Sequence, residues 1–115
     1  PVEAVQAFYN YLKVRNLEKA YALLSEHYPR GDGGFEEWKQ GYATMLDTSV
    51  VKLEPVQGKE NSVFVKLAAK DLIDDEIVYS YFEGTIEAKR VDETWRLWDA
   101  SMKRVENPDY TWLYE

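Results

Sequence analysis

The chain has 115 residues, of which 45% are apolar and 15% aromatic, and its formal net charge is -7. This length fits one domain with one core. An acidic chain repels nucleic acid, because binding to a phosphate backbone depends on clustered Lys and Arg. We therefore expect no nucleic-acid partner. The sequence contains no cysteine, which excludes disulfides and cysteine metal sites.

Residues 1–46 have the apolar spacing of three short amphipathic helices. The first is predicted over residues 2–14, with Val5, Phe8 and Leu12 on one side. Asn16 is a suitable N-cap for a second helix. Residues 25–34 are rich in Pro and Gly and predict a loop, after which a third helix begins near Phe35.

From residue 48 the apolar period changes to two, which predicts four strands. We expect the first to begin at residue 48 and the others to span residues 62–70, 77–91 and 94–105. Gly84 lies inside the third strand and indicates a bulge. The turn at 71–76 holds four carboxylates, which invites a Ca²⁺ hypothesis, but their spacing matches no calcium loop. We interpret it as a solvated turn and expect no metal and no cofactor.

Helices followed by strands predict an α+β domain. The expected architecture is three N-terminal helices packed on a strongly curved, four-stranded antiparallel sheet, and the single domain is predicted to span residues 1–106. Residues 107–115 form an aromatic C-terminal tail that we expect to pack on the domain or on a partner.

Two sequence segments and the last strand resemble the nuclear transport factor 2-like superfamily, which includes SnoaL-like proteins and ketosteroid isomerases. The segments are AVQAFYNYLKVRNLEKAYALL at 4–24, FEEWKQGY at 35–42, and Trp95-Arg96-Leu97 with residues 103–105. The resemblance implies a cone-shaped fold, also called cystatin-like, in which the sheet wraps around the helices. It is greatest to non-catalytic domains of bacterial lipoproteins and other extracytoplasmic proteins. These domains are accessory or assembly elements.

An extracytoplasmic location follows from that resemblance as an expectation, with the cytoplasm as the alternative. The chain begins with Pro1 and not with Met, which also suggests a removed leader. No apolar run approaches the roughly 20 residues of a membrane span, so we expect no direct membrane insertion by this domain.

The curved sheet implied by the resemblance would enclose a pocket between itself and the helices. Such pockets are lined by apolar groups with a few polar ones. The candidate lining residues, for which packing in a filled core is the alternative role, are Phe8, Leu12, Trp38, Tyr42, Tyr79, Tyr81, Trp98 and Met102. No catalytic residue is assigned, because no spacing aligns with the acids, tyrosines or His-Asp pair of the catalytic branches.

Two functions are compatible with this pattern. The first is a non-enzymatic accessory module that binds a protein or a small apolar ligand. The alternative is a small SnoaL-like isomerase or dehydratase, with His27 or a pocket carboxylate as base and Tyr79 or Tyr81 polarising a carbonyl. His27 is the single histidine, and its simpler interpretation is a helix C-terminal residue favoured by the helix dipole.

The fourth predicted strand is apolar on both faces. Trp95 and Leu97 alternate onto one face, whereas Trp98, Ala100 and Met102 alternate onto the other. A sheet that is apolar on both sides needs helices on one side and a partner on the other. This pattern predicts a homodimer through the outer sheet face.

Overall fold

A computed structural model describes residues 1–31, 33–106 and 108. Three helices precede four strands: α1 (Val2–Lys13), α2 (Leu17–Ala22), α3 (Gly34–Gln40), β1 (Met45–Val56), β2 (Lys59–Ile73), β3 (Glu76–Val91) and β4 (Thr94–Arg104). The strands form one antiparallel sheet in the order β1-β2-β3-β4. The α+β prediction is therefore confirmed. Apart from Pro108, the predicted tail at 107–115 lies outside the described residues.

The second helix, α2, begins at the N-cap that the sequence predicts. The Asn16 side chain accepts a hydrogen bond from the backbone N–H of Lys19 at 3.3 Å and so caps α2. α2 ends at Ala22, earlier than expected, and Leu24 instead forms a parallel bridge with Leu97 of β4. This bridge joins the segment after α2 to the edge of the sheet.

Two hairpin turns have the same conformation. Asp74 and Asp75 connect β2 to β3, and Asp92 and Glu93 connect β3 to β4. All four residues have positive φ, between 51° and 67°. Two-residue turns of this kind match the right-handed twist of the strands that they join.

β1 and β2 are longer than their patterns indicate, and the difference affects the site. Met45, expected in the third helix, is the first residue of β1 and pairs with Asp71 of β2. Asp71, expected in the turn, also pairs with Val78 of β3. It therefore belongs to the same strand face as Val63, Val65, Leu67 and Ala69, which alternate with it along β2.

The core lies between the helices and this inner face of the sheet. Its fully buried side chains come from α1, β2, β3 and β4: Val5, Phe8, Leu12, Val63, Val65, Ile86 and Leu97. Full burial of each such side chain stabilises the fold by roughly 1.5–3 kcal/mol relative to exposure. This shared core fixes which face of the sheet meets the helices.

Gly84 is not a bulge. It pairs in regular register with Val65 of β2 and Met102 of β4. A Cβ atom at this position would lie 2.0 Å from the carbonyl oxygen of Ser101, so glycine permits a close backbone approach of β4.

The bulge lies in β4 instead. Glu87 pairs with Asp99 and Ala88 pairs with Leu97, which leaves Trp98 as the extra residue. One extra residue reverses the alternation of side chains. Leu97, Ala100 and Met102 therefore share the inner face, and Trp98 lies with Lys89 on the outer face. The sequence predicted apolar residues on both faces of β4. That pattern arises largely because the extra residue reverses the alternation of side chains along the strand.

Candidate functional site

A cavity of about 470 Å³ lies between the helices and the inner face of the sheet. Among the described residues, six aromatic side chains line it: Phe8, Tyr9, Tyr28, Trp38, Tyr42 and Phe82. Smaller apolar groups, such as Ala69 on β2, complete the wall. Because aromatic rings bury large areas with few rotatable bonds, this wall is apolar and well defined. We call this space the tyrosine cavity.

The rings of the wall contact one another. Phe8 lies edge-on to Tyr9 with ring centroids 5.1 Å apart, and Trp38 lies 4.8 Å from Tyr42. Phe8 and Trp38 are themselves 6.5 Å apart, so α1 and α3 are linked through one aromatic cluster. Pairs at these distances contribute about 0.5–1.5 kcal/mol each beyond the buried area.

Four of the predicted lining residues are brought together in the cavity: Phe8, Leu12, Trp38 and Tyr42. Tyr79 and Tyr81 lie on the outer face, because they alternate with Phe82 and pair with Lys70 and Ala68 of β2. Tyr79 is 55% exposed. Trp98 lies on the outer face through the bulge, and Met102 packs against the core from the inner face.

Three tyrosine hydroxyls supply hydrogen-bond donors to the cavity. Burial raises the pKa of Tyr9 well above 10.0, and the nearby Tyr28 and Tyr42 raise it further. The pKa of Tyr28 is raised mainly by burial and then by Tyr42 and Asp99, whereas burial alone raises the pKa of Tyr42. All three groups are therefore neutral donors at physiological pH.

These hydroxyls are available to a ligand. Within residues 1–31, 33–106 and 108, none of the three donates to another side chain or carbonyl. In the same part of the chain, no fully buried polar side-chain atom lacks a partner. The hydroxyls of Tyr9, Tyr28 and Tyr42 are therefore not fully enclosed by protein, and the tyrosine cavity is the space that all three residues line.

Two charged groups mark the polar boundary of the cavity. The Asp71 carboxylate accepts a hydrogen bond from the Thr44 hydroxyl at 3.2 Å. The Arg30 guanidinium lies 4.6 Å above the Tyr21 ring and donates to the Leu24 carbonyl at 3.4 Å. The cavity thus combines apolar walls, neutral donors and one carboxylate that can accept a proton.

Sequence reasoning missed Tyr9, Tyr28 and Asp71 as lining residues. Tyr28 belongs to the Pro- and Gly-rich segment, where no period indicates the direction of a side chain. The alternation of β2 could have revealed Asp71, since it continues the series of odd-numbered inner positions from Val63.

His27 lies outside the tyrosine cavity. It follows the end of α2 by five residues and stacks on the Trp98 ring, with centroids 5.2 Å apart and planes at 15°. Its Nδ1 donates to the Trp98 carbonyl oxygen at 3.1 Å, since a carbonyl can only accept. His27 lines a separate open groove of about 860 Å³.

The described residues contain no group of three or more His, Asp or Glu side chains that could hold a metal ion. The four carboxylates near the β2–β3 turn are separated, with Asp71 in β2, Asp74 and Asp75 in the turn, and Glu76 in β3. None of the described helices is long and apolar enough to cross a membrane.

The fold is similar to that of several solved structures. A nuclear transport factor 2-like protein from Anabaena variabilis has a TM-score of 0.61 and 13% identity, over 91% of this chain and 86% of that one. A ketosteroid isomerase-like protein from Erwinia carotovora atroseptica has a TM-score of 0.58 and 11% identity, over 90% and 92%. A proposed dehydratase of the same family from Streptomyces avermitilis has a TM-score of 0.58 and 15% identity, over 90% and 91%.

No protein-family model matches the sequence, and none of the curated proteins matches it. At identities of 11–15% the structural similarity establishes the fold and not the activity. The chain has the nuclear transport factor 2-like fold.

Proposed function

We propose that this domain is a non-enzymatic module that binds a small, largely apolar molecule bearing a hydrogen-bond-accepting oxygen. One observation carries the proposal: Tyr9, Tyr28 and Tyr42, whose hydroxyls are neutral and have no partner among the described residues, line one cavity together with three further aromatic side chains. An apolar body gains free energy by leaving water for the aromatic wall. An oxygen acceptor on that body satisfies donors that have no partner among the described residues.

Calorimetric titration with two probes of nearly equal shape tests the proposal. Acetonaphthone carries a carbonyl where ethylnaphthalene has a methylene group. We expect acetonaphthone to bind more tightly, by about fivefold for each hydroxyl that contacts the carbonyl. The preference should shrink in the double variant Tyr28→Phe, Tyr42→Phe, which leaves the Tyr9 hydroxyl in place.

A cavity-filling variant gives the matched control. Ala69 lines the cavity from β2, so Ala69→Leu should remove the binding of both probes by occupying the space. Equal affinities of the two probes for the unaltered protein would contradict hydroxyl recognition. Undiminished binding to a folded Ala69→Leu variant would contradict the choice of cavity.

The alternative function is an isomerase or dehydratase, and one observation favours it. The Asp71 carboxylate lines the same cavity as Tyr28 and Tyr42. In this hypothesis Asp71 removes a proton from the carbon beside a carbonyl that a tyrosine hydroxyl holds. It replaces the assignment to His27, Tyr79 and Tyr81, which lie elsewhere. Similar structures described as proposed dehydratases support this alternative only through their fold.

Deuterium exchange separates the two functions. The methyl protons of acetonaphthone lie beside its carbonyl, so NMR in heavy water measures their removal directly. Exchange that exceeds the buffer rate and is lost in Asp71→Asn would establish the acid-base alternative. Tight binding with exchange at the buffer rate would support the binding module.

We also propose that the sheet is strongly curved into a cone. The domain then forms a homodimer through the outer face of this sheet. Exposed apolar side chains on the outer face beside the β2–β3 turn support the association: Leu72, Ile77 and Tyr79 are 45–55% exposed. Analytical ultracentrifugation at high protein concentration tests it. A monomer throughout would remove the dimer from the proposal, whereas dimers that dissociate in Tyr79→Glu would support it.

We also propose that the domain lies outside the cytoplasm of a bacterium, in or beside a lipoprotein. Only the resemblance of residues 4–24 and 35–42 supports this location. The cytoplasm is the alternative. The coding sequence upstream of Pro1 tests the two. A lipobox or membrane span there would support the first location, and a start codon directly before Pro1 would support the second.

A further inference from the structure

The groove that contains His27 has the chemistry of a second binding site. It is open, has a volume of about 860 Å³, and lies between the segment after α2 and β4. The side chains that line it include those of Tyr21, Arg30, Arg96 and Trp98. We propose that this groove, which we call the arginine groove, binds a small organic anion with a carboxylate joined to an aromatic or aliphatic body.

Two guanidinium groups in the arginine groove have no counterion among the described residues, although the net charge of the chain is -7. Among residues 1–31, 33–106 and 108, no carboxylate forms an ion pair with Arg30 or Arg96. Glu26 also lines the groove, but it is exposed and pairs with neither. Uncompensated guanidinium groups facing one groove attract an anion.

Most donors of these groups are unused. Arg30 donates to the Leu24 carbonyl, and Arg96 donates to the Ala22 carbonyl. A guanidinium has five N–H donors in a planar fork that fits the two oxygens of a carboxylate. Each arginine therefore retains donors for a ligand while a backbone contact holds it in place.

The walls of the arginine groove are fixed by the fold. The Leu97 N–H donates to the Leu23 carbonyl at 2.8 Å, and the Ser25 N–H donates to the Leu97 carbonyl at 2.9 Å. Arg96, next to Leu97 in β4, is thereby tied to the segment after α2. The Trp98 ring stacks on His27, and the Lys89 Nζ lies 4.7 Å from the centre of the Trp98 ring. A preorganised wall loses little entropy when a ligand binds.

The charge and size of the groove select the class of ligand. The overall negative charge disfavours a polyanion such as nucleic acid, whose binding depends on many cationic contacts. The groove volume lies within the roughly 300–1,000 Å³ of small-molecule sites. The partly exposed rings of Tyr21 and Trp98 line the groove beside the arginines, which suits a carboxylate with an apolar body.

This site is distinct from the tyrosine cavity, although Arg30 lines both. Arg96 lines only the groove and so gives the cleaner test. In Arg96→Gln the amide can still donate to the Ala22 carbonyl while the charge is lost. Arg104→Gln is the matched control, since it removes the same charge from the same strand at an exposed position paired with Glu106.

Calorimetric titration with naphthoate, the carboxylate counterpart of acetonaphthone, measures the effect. We expect Arg96→Gln to weaken naphthoate binding by about tenfold or more, because a hydrogen bond to a charged group is lost. Arg104→Gln should leave it unchanged, and added salt should weaken it in the unaltered protein. Equal naphthoate affinities of Arg96→Gln and Arg104→Gln would overturn the proposal.

Competition between the two probes distinguishes the two sites in the unaltered protein. Naphthoate affinity should be the same with and without saturating acetonaphthone. Displacement of one probe by the other would place the anion in the tyrosine cavity and overturn a separate groove site. If acetonaphthone does not bind at all, the tyrosine-cavity proposal fails, and the two arginine variants still decide the groove.

Discussion

The Arg15 guanidinium donates to the carbonyl oxygen of Met45 at 2.7 Å and so joins the end of α1 to the start of β1. A second bond, to the Tyr42 carbonyl at 3.2 Å, holds the connection after α3. Arg15 makes these bonds from a left-handed backbone conformation, with φ at 60°. Met45 and Tyr42 both line the tyrosine cavity, so Arg15 supports its wall from outside.

Two replacements of Arg15 should separate the contribution of its hydrogen bonds from the cost of its left-handed backbone conformation. Arg15→Ala loses the hydrogen bonds and keeps the strained backbone, so we expect the free energy of unfolding to fall by about 1–2 kcal/mol. Arg15→Gly loses the same bonds but relieves a strain of about 1 kcal/mol, so it should be less destabilised. Urea unfolding measures both. Equal destabilisation of the two variants would show that φ is not strained at this position.

Gly84 and Gly58 should respond differently to the same substitution. A Cβ at Gly84 would lie 2.0 Å from the Ser101 carbonyl oxygen and 2.8 Å from the Met102 Cα, and neither backbone atom can move alone. We expect Gly84→Ala to destabilise by about 3 kcal/mol or to distort the pairing of β3 with β4. At Gly58, with φ at 83° and open space around it, Ala adds only about 1–2 kcal/mol of strain.

Thermal unfolding of both alanine variants tests this contrast. Gly58→Ala serves as the control for loss of glycine flexibility in a hairpin turn. A Gly84→Ala variant as stable as Gly58→Ala would show that β3 and β4 can move apart at this point without penalty.

The three cavity tyrosines should make the fold sensitive to high pH. Their pKa values are raised by burial, so the folded state keeps protons that the unfolded state loses above about pH 10. Their contribution is fully present below that pH and is lost as the pH rises through the folded-state pKa values. Urea midpoints across this range measure the loss.

Tyr28→Phe provides the matched comparison, because it removes a titrating group while keeping the ring. Its alkaline loss of stability should be smaller than that of the unaltered protein. An identical pH dependence would indicate that the Tyr28 hydroxyl ionises as readily in the folded state as in the unfolded state.

Much of the fold follows from local pattern in the sequence. The stripe of Val5, Phe8 and Leu12 indicates the buried side of α1, and the change of period at residue 48 indicates the sheet. Both signals are local, because each depends on the spacing of neighbouring residues.

The site depends on relationships that local pattern does not contain. The bulge at Trp98 reverses the faces of β4, and only the register against β3 reveals it. Tyr28 lies in a segment without a period, so its direction is set by packing against Phe8, whose ring centroid is 6.5 Å away. Tyr79 and Tyr81 were equally good candidates by composition, and pairing with β2 places them outside.

The Leu24–Leu97 bridge has a consequence for aggregation. β4 is an outer strand of the sheet, and residues 23–25 occupy hydrogen-bonding groups that another chain would otherwise use. β1, the opposite outer strand, carries Pro55 and three register shifts within its length. Such features obstruct the strand-by-strand stacking that leads to fibrils. Both edge strands of the sheet thus carry features that hinder polymerisation through strand pairing with other chains.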